Sequence, residues 1–332
     1  MKQTIRTMAN ELGLSPATVS KALTGQPSIN ESTRAKVVAH AKKAGYEAPS
    51  KRGASAPRVA IIIQDESNVD ISTVFYYDVL LGFKEHANKL GMEVLILSIT
   101  AEDLETYDYD EYISAKNIDG VFIMGFKTSA PYYQQLATTA VKSVALDIVM
   151  DNPALGSVET DNIAGANLAI EHLASLGHKR IGFIGGHSEA YVSRERLTGY
   201  MGAMCRAGLV YEKSLVFDGG FTESGGACAA EYFAKLGVSA VFCASDLMAV
   251  GATRRFVELG LSIPKDMSIV GFDNAPYSAL CTPPLTTIAQ DRPRIGVTAA
   301  ALLDGLMRNV PVNRAVLPPS LVIRESTAPL AG

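Results

Sequence analysis

The first 45 residues alternate apolar and polar positions with a period of three to four, the pattern of short amphipathic helices. In TIRTMANEL, residues 4–12, the apolar side chains fall on one stripe. Gly13 then interrupts the pattern with a residue that accepts the left-handed conformation of a sharp turn. Ser15 and Pro16 are residue types favoured at the N-cap and first position of a second helix, PATVSKAL.

A third helical pattern follows Asn30, and its apolar positions predict packing through Ala35, Val38 and Ala41. Three short helices with a glycine turn between the first two predict a helix-turn-helix. The second helix presents small side chains and hydroxyls opposite its apolar residues. Such side chains can contact bases or phosphates in a DNA groove.

From Val59 onward, short and wholly apolar runs alternate with amphipathic helical stretches such as 78–91 and 163–178. Apolar strands separated by helices are typical of parallel sheets covered on both faces. This pattern continues to the end of the chain, too far for one sheet, and therefore predicts two lobes with a ligand cleft between them. Strands are predicted at VAIIIQ (59–64), EVLILS (93–98), GVFIMG (120–125), KSVALD (142–147), RIGFIG (180–185), AVFCA (240–244) and SIVGF (268–272).

The segment between these two parts, PSKRGASAPR (49–58), has no large apolar side chain. Its two prolines and one glycine oppose a helix, and Lys51, Arg52 and Arg58 make it basic. It is predicted to be a basic linker.

Charge divides the chain in the same way. The 332 residues have a net charge of −4, but residues 1–58 carry +7 and the remainder −11. A basic head suggests a polyanionic partner, whereas the acidic body needs a different one. The hydrophobic content of 48% is ordinary for a globular protein, and no signal peptide or membrane-spanning run is apparent. Four cysteines without a CxxC pair fit reduced thiols and a cytoplasmic location.

Motifs of catalysis are missing from the sequence. It contains no GxxxxGK[ST], complete GxGxxG, HExxH or GxSxG, and no cysteine or histidine set at metal-ligand spacing. We therefore expect neither an enzyme nor a cofactor or metal site.

The segment TIRTMANELGLSPATVSKALTGQPSINESTRAKVVAHAKKAGY resembles the DNA-binding head of the LacI/GalR family of bacterial repressors over its whole length. The resemblance implies that the second helix contacts the major groove and that neighbouring residues meet phosphates. The implied DNA-binding residues are Thr4, Ser15, Ala17, Thr18, Ser20, Lys21, Thr24, Asn30 and Thr33, with Lys51 and Arg52 of the linker along the backbone.

The body resembles the same family through AIEHLASLGHKRIGFIGG, RERLTGY, SDLMAVGA, IPKDMSIVGFDN and PPLTTIAQD, which stand in the family's order. This implies a periplasmic-binding-protein fold that binds a sugar or another small metabolite. The expected organisation is a helix-turn-helix domain (1–48), a linker (49–58), an N-terminal lobe (59–160 and 291–317) and a C-terminal lobe (161–290 and 318–332).

Eight residues are candidates for ligand contact. Arg196 matches the family's ligand-gripping arginine, and Asp273 ends an apolar strand where an acid is otherwise awkward. Phe221 could stack on a sugar ring. Each also has a structural interpretation, as a surface arginine, a loop cap or an ordinary core aromatic. The full set is Tyr76, Asp147, Arg196, Phe221, Ser245, Asp273, Gln290 and Arg292.

Three departures from the family's pattern limit what the resemblance transfers. Ser245 stands where the family often has asparagine, and Arg292 where sugar-binding relatives often have an aromatic residue. If Arg292 faces the cleft, it favours an acidic or phosphorylated ligand; if it faces solvent, it carries no information about the ligand. The linker lacks the leucine with which many relatives kink operator DNA.

The function expected from these observations is a repressor whose affinity for double-stranded operator DNA changes when a sugar-like metabolite binds. The alternatives are a sugar-binding protein with weak or lost DNA binding and, more remotely, a small-molecule enzyme. A homodimer is expected, because one short recognition helix offers few contacts. No leucine heptads follow Ser326, so the tetramer-forming tail of some relatives is not expected.

Overall fold

The computed structural model divides the chain into two compact units, residues 1–56 and 57–332. It describes residues 5–23, 29–43, 56–64, 73–99, 108–125, 131–310 and 314–330. Most of the predicted linker, including Lys51 and Arg52, lies outside the described residues, as do Thr4 and Thr24. No helix within these described ranges is long and apolar enough to cross a membrane.

The N-terminal unit contains helices α1 (Ile5–Leu12), α2 (Pro16–Leu23) and α3 (Glu31–Lys43). Gly13 has a φ of +64°, the left-handed conformation expected at the end of α1. The buried apolar side chains that hold the helices together are Met8, Ala9, Val19, Ala22, Val37 and Ala41.

The predicted packing of α3 was partly wrong. Ala41 is buried, but Ala35 is exposed and Val38 is 47% exposed, whereas Val37 is fully buried. Val37 and Ala41 are four residues apart and therefore share one helix face, from which Val38 is turned away.

The first lobe of the body is a six-stranded sheet whose strands all run parallel. The first strand, β1, shows why the sequence there is wholly apolar. Val59 and Ile61 enter one buried cluster while Ala60 and Ile62 enter another, so both faces of the sheet are covered. In the order β11-β5-β4-β3-β1-β2, the strands are β1 (Arg58–Gln64), β2 (Glu93–Ile99), β3 (Gly120–Met124), β4 (Ser143–Leu146), β5 (Leu155–Thr160) and β11 (Arg314–Leu317).

Helices α4 (Thr73–Lys89) and α11 (Arg292–Met307) pack closely against each other on this sheet. A side chain on Gly82 would meet the carbonyl of Pro293, and one on Gly296 would meet the carbonyl of Val79. Glycine at both positions therefore lets the two helix backbones touch. Two shorter helices, α5 (Tyr109–Ala115) and α6 (Pro131–Gln135), also belong to the described part of this lobe.

The second lobe repeats the strand order with a sheet that is parallel except for its last edge strand, β12. In the order β12-β10-β9-β8-β6-β7, the strands are β6 (Ile181–Gly185), β7 (Val216–Asp218), β8 (Ala240–Cys243), β9 (Ser268–Asp273), β10 (Thr286–Ala289) and β12 (Ser320–Val322). The helices are α7 (Asn162–Ser175), α8 (Tyr191–Arg206), α9 (Glu223–Phe233) and α10 (Asp246–Glu258), with 3-10 turns at Lys213–Leu215 and Pro276–Ala279.

The two lobes of the predicted fold class, each with a parallel sheet, are therefore present. The seven predicted strands are found, but five further strands, β5, β7 and β10–β12, were not predicted. Those five have three to six residues and contain serine, threonine, charged or loop-like residues, so they lack the continuous apolar pattern.

The chain passes between the sheets three times, after β5, β10 and β11, and these crossings are joined. The Asp161 N–H donates to the carbonyl of Leu317 at 2.9 Å, which joins the first crossing to the third. The Thr160 hydroxyl donates to Oε1 of Gln290 at 2.7 Å, which joins the first to the second. Movement of one lobe relative to the other must therefore involve all three crossings together.

Candidate functional site

The candidate ligand residues lie where strands of the two sheets end. In parallel α/β sheets, the loops and helix starts at the carboxyl ends of strands form the ligand crevice. Tyr76 and Asp147 follow β1 and β4 of the first sheet. Arg196, Phe221 and Ser245 follow β6, β7 and β8 of the second, whereas Asp273 ends β9 and Gln290 and Arg292 follow β10.

Arg196 is held rigidly although it lies in a helix. It is only 4% exposed, and its Nε donates to Oδ1 of Asn162 at 2.8 Å while Nη1 donates to the carbonyl of Ala244. Its guanidinium carbon lies 3.7 Å from the centre of the Phe272 ring, a cation–π contact. Burial lowers the pKa of Arg196, while the nearby carboxylates of Asp273 and Asp147 act in the opposite direction. Arg196 is thus a buried, oriented cation and not the surface arginine of the alternative interpretation.

Asp147 and Asp273 both have a left-handed backbone, with φ of 58° and 115°. Such conformations cost non-glycine residues about 1–3 kcal/mol each and persist where the surroundings enforce them. Among the described residues, none donates a hydrogen bond to the Asp147 carboxylate. Burial, with Glu159 and Asp273 nearby, raises the pKa of Asp147 to about 7 even though Arg196 opposes the shift. A half-buried carboxyl to which no described residue donates is available to accept from a ligand.

Gln290 connects Asp273 to the other lobe. Its Nε2 donates to Oδ1 of Asp273 at 2.8 Å, and its Oε1 accepts from the hydroxyl of Thr160 at the end of β5. Burial raises the pKa of Asp273, while Arg196 and this hydrogen bond act against the rise. The Asp273 carboxylate is therefore oriented by a side chain that is itself fixed to the first lobe.

Arg292 resolves the alternatives that the sequence left open. It is buried, and its Nε donates to Oδ2 of Asp78 on α4 at 2.9 Å. Its Nη1 donates to the carbonyls of Asp273 and Asn274 at 2.9 and 3.2 Å. The guanidinium neither faces solvent nor stands unpaired in the cleft, so it supplies no unbalanced positive charge for an acidic ligand.

Phe221, Ser245 and Tyr76 each contact a residue close to the end of a strand. The Phe221 backbone has a φ of 58°, and its ring lies so close to Gly186 that an added side chain there would overlap it. The Ser245 hydroxyl accepts from the N–H of Met248 at 3.3 Å and caps α10. The ring of Tyr76 lies beside Gly125 at the end of β3.

The sequence missed Asp246, the first residue of α10, which is completely buried beside these groups. It accepts from the N–H of Ala275 at 2.7 Å and from the hydroxyl of Thr287 at 2.5 Å. Burial and the neighbouring Asp273 raise its pKa well above the usual range. The signal for it was present, since an acid two residues after the apolar run AVFCA is as unusual as Asp273 at the end of the apolar strand β9.

In the N-terminal unit, two DNA-binding candidates serve as helix caps. The Ser15 hydroxyl accepts from the N–H of Thr18 at 3.1 Å and lies 2.8 Å from the Thr18 hydroxyl. Asn30 accepts from the N–H of Thr33 at 2.8 Å. Ala17, Ser20 and Lys21 belong to α2, but their side chains are outside the described set.

No group of histidine, cysteine and acidic side chains in the described ranges has the geometry of a metal site. A surface depression of about 350 Å³ lies between the C-terminal ends of α9 and α10, lined by residues such as Lys235 and Leu261. Because helices in such lobes run opposite to the strands, it lies at the other edge of the sheet from the candidate ligand residues.

Known proteins resemble this chain both in a domain of its body and over nearly its full length. Residues 170–327 match the family model of a periplasmic binding protein-like domain. The HTH-type transcriptional repressor CytR of Escherichia coli (strain K12) is 32% identical over 336 residues, an alignment covering 98% of this chain and 97% of CytR.

Two solved structures are also similar over nearly the full chain. The complex of the transcriptional regulator CelR with cellobiose has a TM-score of 0.75 and 27% identity, covering 98% of this chain and 99% of CelR. The lac repressor dimer bound to operator and the anti-inducer ONPF has a TM-score of 0.70 and 25% identity, covering 99% of this chain and 100% of that one.

Proposed function

The chain belongs to the LacI family of transcriptional regulators, and from this premise we propose that it is a DNA-binding repressor controlled by a small metabolite. Its N-terminal unit is the helix-turn-helix head that reads operator DNA, and its two-lobed body binds the effector. The observation that carries the proposal is the convergence of Arg196, Asp147 and Asp273 at the carboxyl edges of the two sheets, where hydrogen bonds orient Arg196 and Asp273 and the Asp147 carboxyl lies near Arg196. Because it acts on the chromosome, such a regulator works in the cytoplasm.

The first turns of α2 and α3 are the features of the head that are suited to contact DNA. Ser15 and Asn30 use their side-chain oxygens to cap α2 and α3, which leaves the remaining N–H groups of each first turn for phosphate oxygens. Thr18, in the first turn of α2, is the described residue on the face proposed to enter the major groove. Sequence reading is assigned to α2, and the linker residues Lys51 and Arg52 are assigned to phosphates.

The body suits a ligand rich in hydroxyl groups. The Asp147 and Asp273 carboxylates accept hydrogen bonds, and the Arg196 guanidinium donates them to vicinal hydroxyls. Since Arg292 is already paired with Asp78, an uncharged sugar or sugar derivative is favoured over an acidic or phosphorylated one. The cellobiose bound by CelR is a ligand of this kind.

Regulation follows from linkage between the two sites. A ligand changes DNA affinity only by its different affinity for the two conformations of the body, typically by about 1–3 kcal/mol. The joined crossings between the lobes are the elements through which closing of the cleft would be transmitted.

The proposed assembly is a homodimer on a near-palindromic operator, since two heads supply enough contacts for specific binding. Apolar side chains exposed in the body support pairing with a second copy. Tyr77 and Leu81 share one face of α4, and Ile96 lies on the edge strand β2. In the second lobe, Leu280 is 82% exposed. Sedimentation should show a dimer at micromolar concentration.

The proposal is tested by selecting binding sites from a random duplex library with the full-length protein. We expect a near-palindromic site whose affinity falls steeply with salt, because the basic head displaces counterions. Thr18→Ala should alter or abolish the selected sequence, whereas Lys51→Ala should weaken all sequences about equally. If no sequence is enriched and the protein still binds a sugar, it is instead a sugar-binding protein that has lost DNA recognition, as the linker without a large apolar side chain would allow.

A further inference from the structure

Arg292, the first residue of α11, contacts both lobes at once. Its Nε donates to Asp78 on α4, which packs on the first sheet, while its Nη1 donates to two carbonyls at the end of β9 in the second sheet. Asp78 fixes the plane of the guanidinium and so directs Nη1 at Asp273 and Asn274. The buried side chain of Arg292 thus connects the two lobes by direct hydrogen bonds that need no ligand.

The turn that Arg292 holds carries a candidate ligand residue in an unfavourable backbone conformation. Asp273 and Asn274 have φ of 115° and 51° in succession. Gln290 orients the carboxylate of Asp273, and Arg292 fixes its carbonyl, so the whole residue is positioned by side chains from the crossing between lobes.

A second arginine holds the same turn from within the second lobe. Arg324 donates through Nη2 to Oδ1 of Asn274 at 2.6 Å and through Nη1 to the Ser278 hydroxyl and the Leu285 carbonyl. None of these three acceptors belongs to the first lobe. Arg292 and Arg324 therefore provide the same chemistry to one turn, but only Arg292 spans the cleft.

Opening of the cleft has to separate the end of β9 from α4. If Arg292 stays with Asp78, its hydrogen bonds to the two carbonyls break; if it stays with the carbonyls, the ion pair breaks. Either outcome breaks hydrogen bonds of a charged group that the arrangement with the lobes together makes, which disfavours the open arrangement.

We propose that Arg292 is a positioning residue that holds Asp273 against the first lobe and thereby sets the balance between closed and open cleft. This proposal rests on the proposed function only because it takes the cleft as the effector site. Arg292 acts through Asp273 and does not itself contact the effector.

The test measures the distance between lobes by electron spin resonance in the full-length protein without added metabolite. One spin label is placed on the exposed Cys205 of α8 and the other on Lys89→Cys at the exposed end of α4, with Cys228 and Cys281 changed to serine. Labelled chains are mixed with a large excess of unlabelled chains, so that distances within one protomer dominate. Arg292→Met removes the donors but keeps an apolar stem, and Arg324→Met is its matched control.

Arg292→Met should add a longer-distance population that the parent lacks, whereas Arg324→Met should lower the thermal midpoint without changing the distance distribution. Arg292→Lys keeps the charge beside Asp78 but lacks the planar fork, so it should give an intermediate distribution and also serves if the methionine variant does not fold. An unchanged distribution in the folded Arg292 variants, or an equal change in Arg324→Met, would overturn the proposal. Operator binding by the same variants is recorded separately, so a failure of the DNA-binding function is distinguished from a failure of this contact.

Discussion

The two lobes have the same strand order but very different polar groups at their cleft edges. In the second lobe, Arg196, Asp246 and Asp273 are each fixed by hydrogen bonds to neighbouring groups. In the first lobe, Asp147 has no donor among the described residues. This difference supports the proposal that the second lobe is a preorganised binding surface and that the first lobe closes over it.

The fixed groups of the second lobe depend on its core. Phe272 at the end of β9 belongs to the main buried cluster and also supports the Arg196 guanidinium. Gly271 has no side chain because any Cβ there would meet the Asp246 carboxylate. The polar site is therefore mounted directly on buried strands, which keeps its geometry precise.

The largest effect is expected from Asp246→Ala. This change leaves the Ala275 N–H and the Thr287 hydroxyl buried without an acceptor, so the free energy of unfolding should fall by about 2–5 kcal/mol. Asp246→Asn should cost less than about 1 kcal/mol, because its amide oxygen can accept from the backbone and its NH₂ can donate to the threonine hydroxyl. Urea unfolding of both variants measures the difference.

The same experiment tests the contrast between the lobes. Asp147→Ala removes a carboxylate that no described donor holds, and it should leave the free energy of unfolding nearly unchanged or raised at neutral pH. If Asp147→Ala destabilises the protein as much as Asp246→Ala does, the two cleft edges are equally preorganised and the contrast is wrong.

A smaller but more specific effect is expected on effector binding. Arg196→Ala and Asp273→Ala should each weaken the effector by about 2–4 kcal/mol, because the hydroxyls they bind would lose their partners. Operator binding without effector should stay within about twofold, since the DNA contacts are assigned to the head. Tyr76→Phe, on the closing lobe, should cost at most about 1.5 kcal/mol.

Titration calorimetry with an effector identified from a panel of neutral and phosphorylated sugars measures these values. Unchanged affinity in both Arg196→Ala and Asp273→Ala would show that the effector binds elsewhere. A phosphorylated sugar as the tightest ligand would show that the Asp78–Arg292 pair opens to receive it.

The sequence correctly predicted the strands that have a continuous apolar run, and it singled out residues that lie within a motif of the family. The apolar run of β1 and the motif around Arg196 are examples. It did not predict the short strand β10, because its environment is created by residues distant in the chain, and it overlooked Asp246 although the apolar run before it was a signal. The pairing of Arg292 with Asp78, 214 residues apart, depends on how α4 and α11 pack, so no local pattern could indicate it. For the same reason, Ala35 and Val38 were wrongly predicted to pack in the core, and Val37 on the buried face of α3 was missed.

The last prediction concerns pH and the Asp147 carboxyl of the first lobe, to which no described residue donates. In the folded chain, the pKa of Asp147 is raised from 3.8 to about 7, so between these values the native state binds more protons than the unfolded state. The free energy of unfolding should therefore fall as pH rises through this window, and below it Asp147 should contribute no difference. Asp147→Asn cannot ionise and should lack this fall, becoming more stable than the parent at pH 8 by at least about 1.4 kcal/mol, the equivalent of one pKa unit.

The measurement has to be a difference between variant and parent at each pH. Burial lowers the pKa of His172 and of His178, so both histidines favour unfolding at low pH and give the opposite slope in every variant. Asp151→Asn, at an exposed position four residues after Asp147, is the matched control for replacing an aspartate by asparagine. If Asp147→Asn also follows the parent from pH 4 to pH 8, the Asp147 carboxyl already has a partner when folded, and the first lobe's cleft edge is as fully satisfied as that of the second.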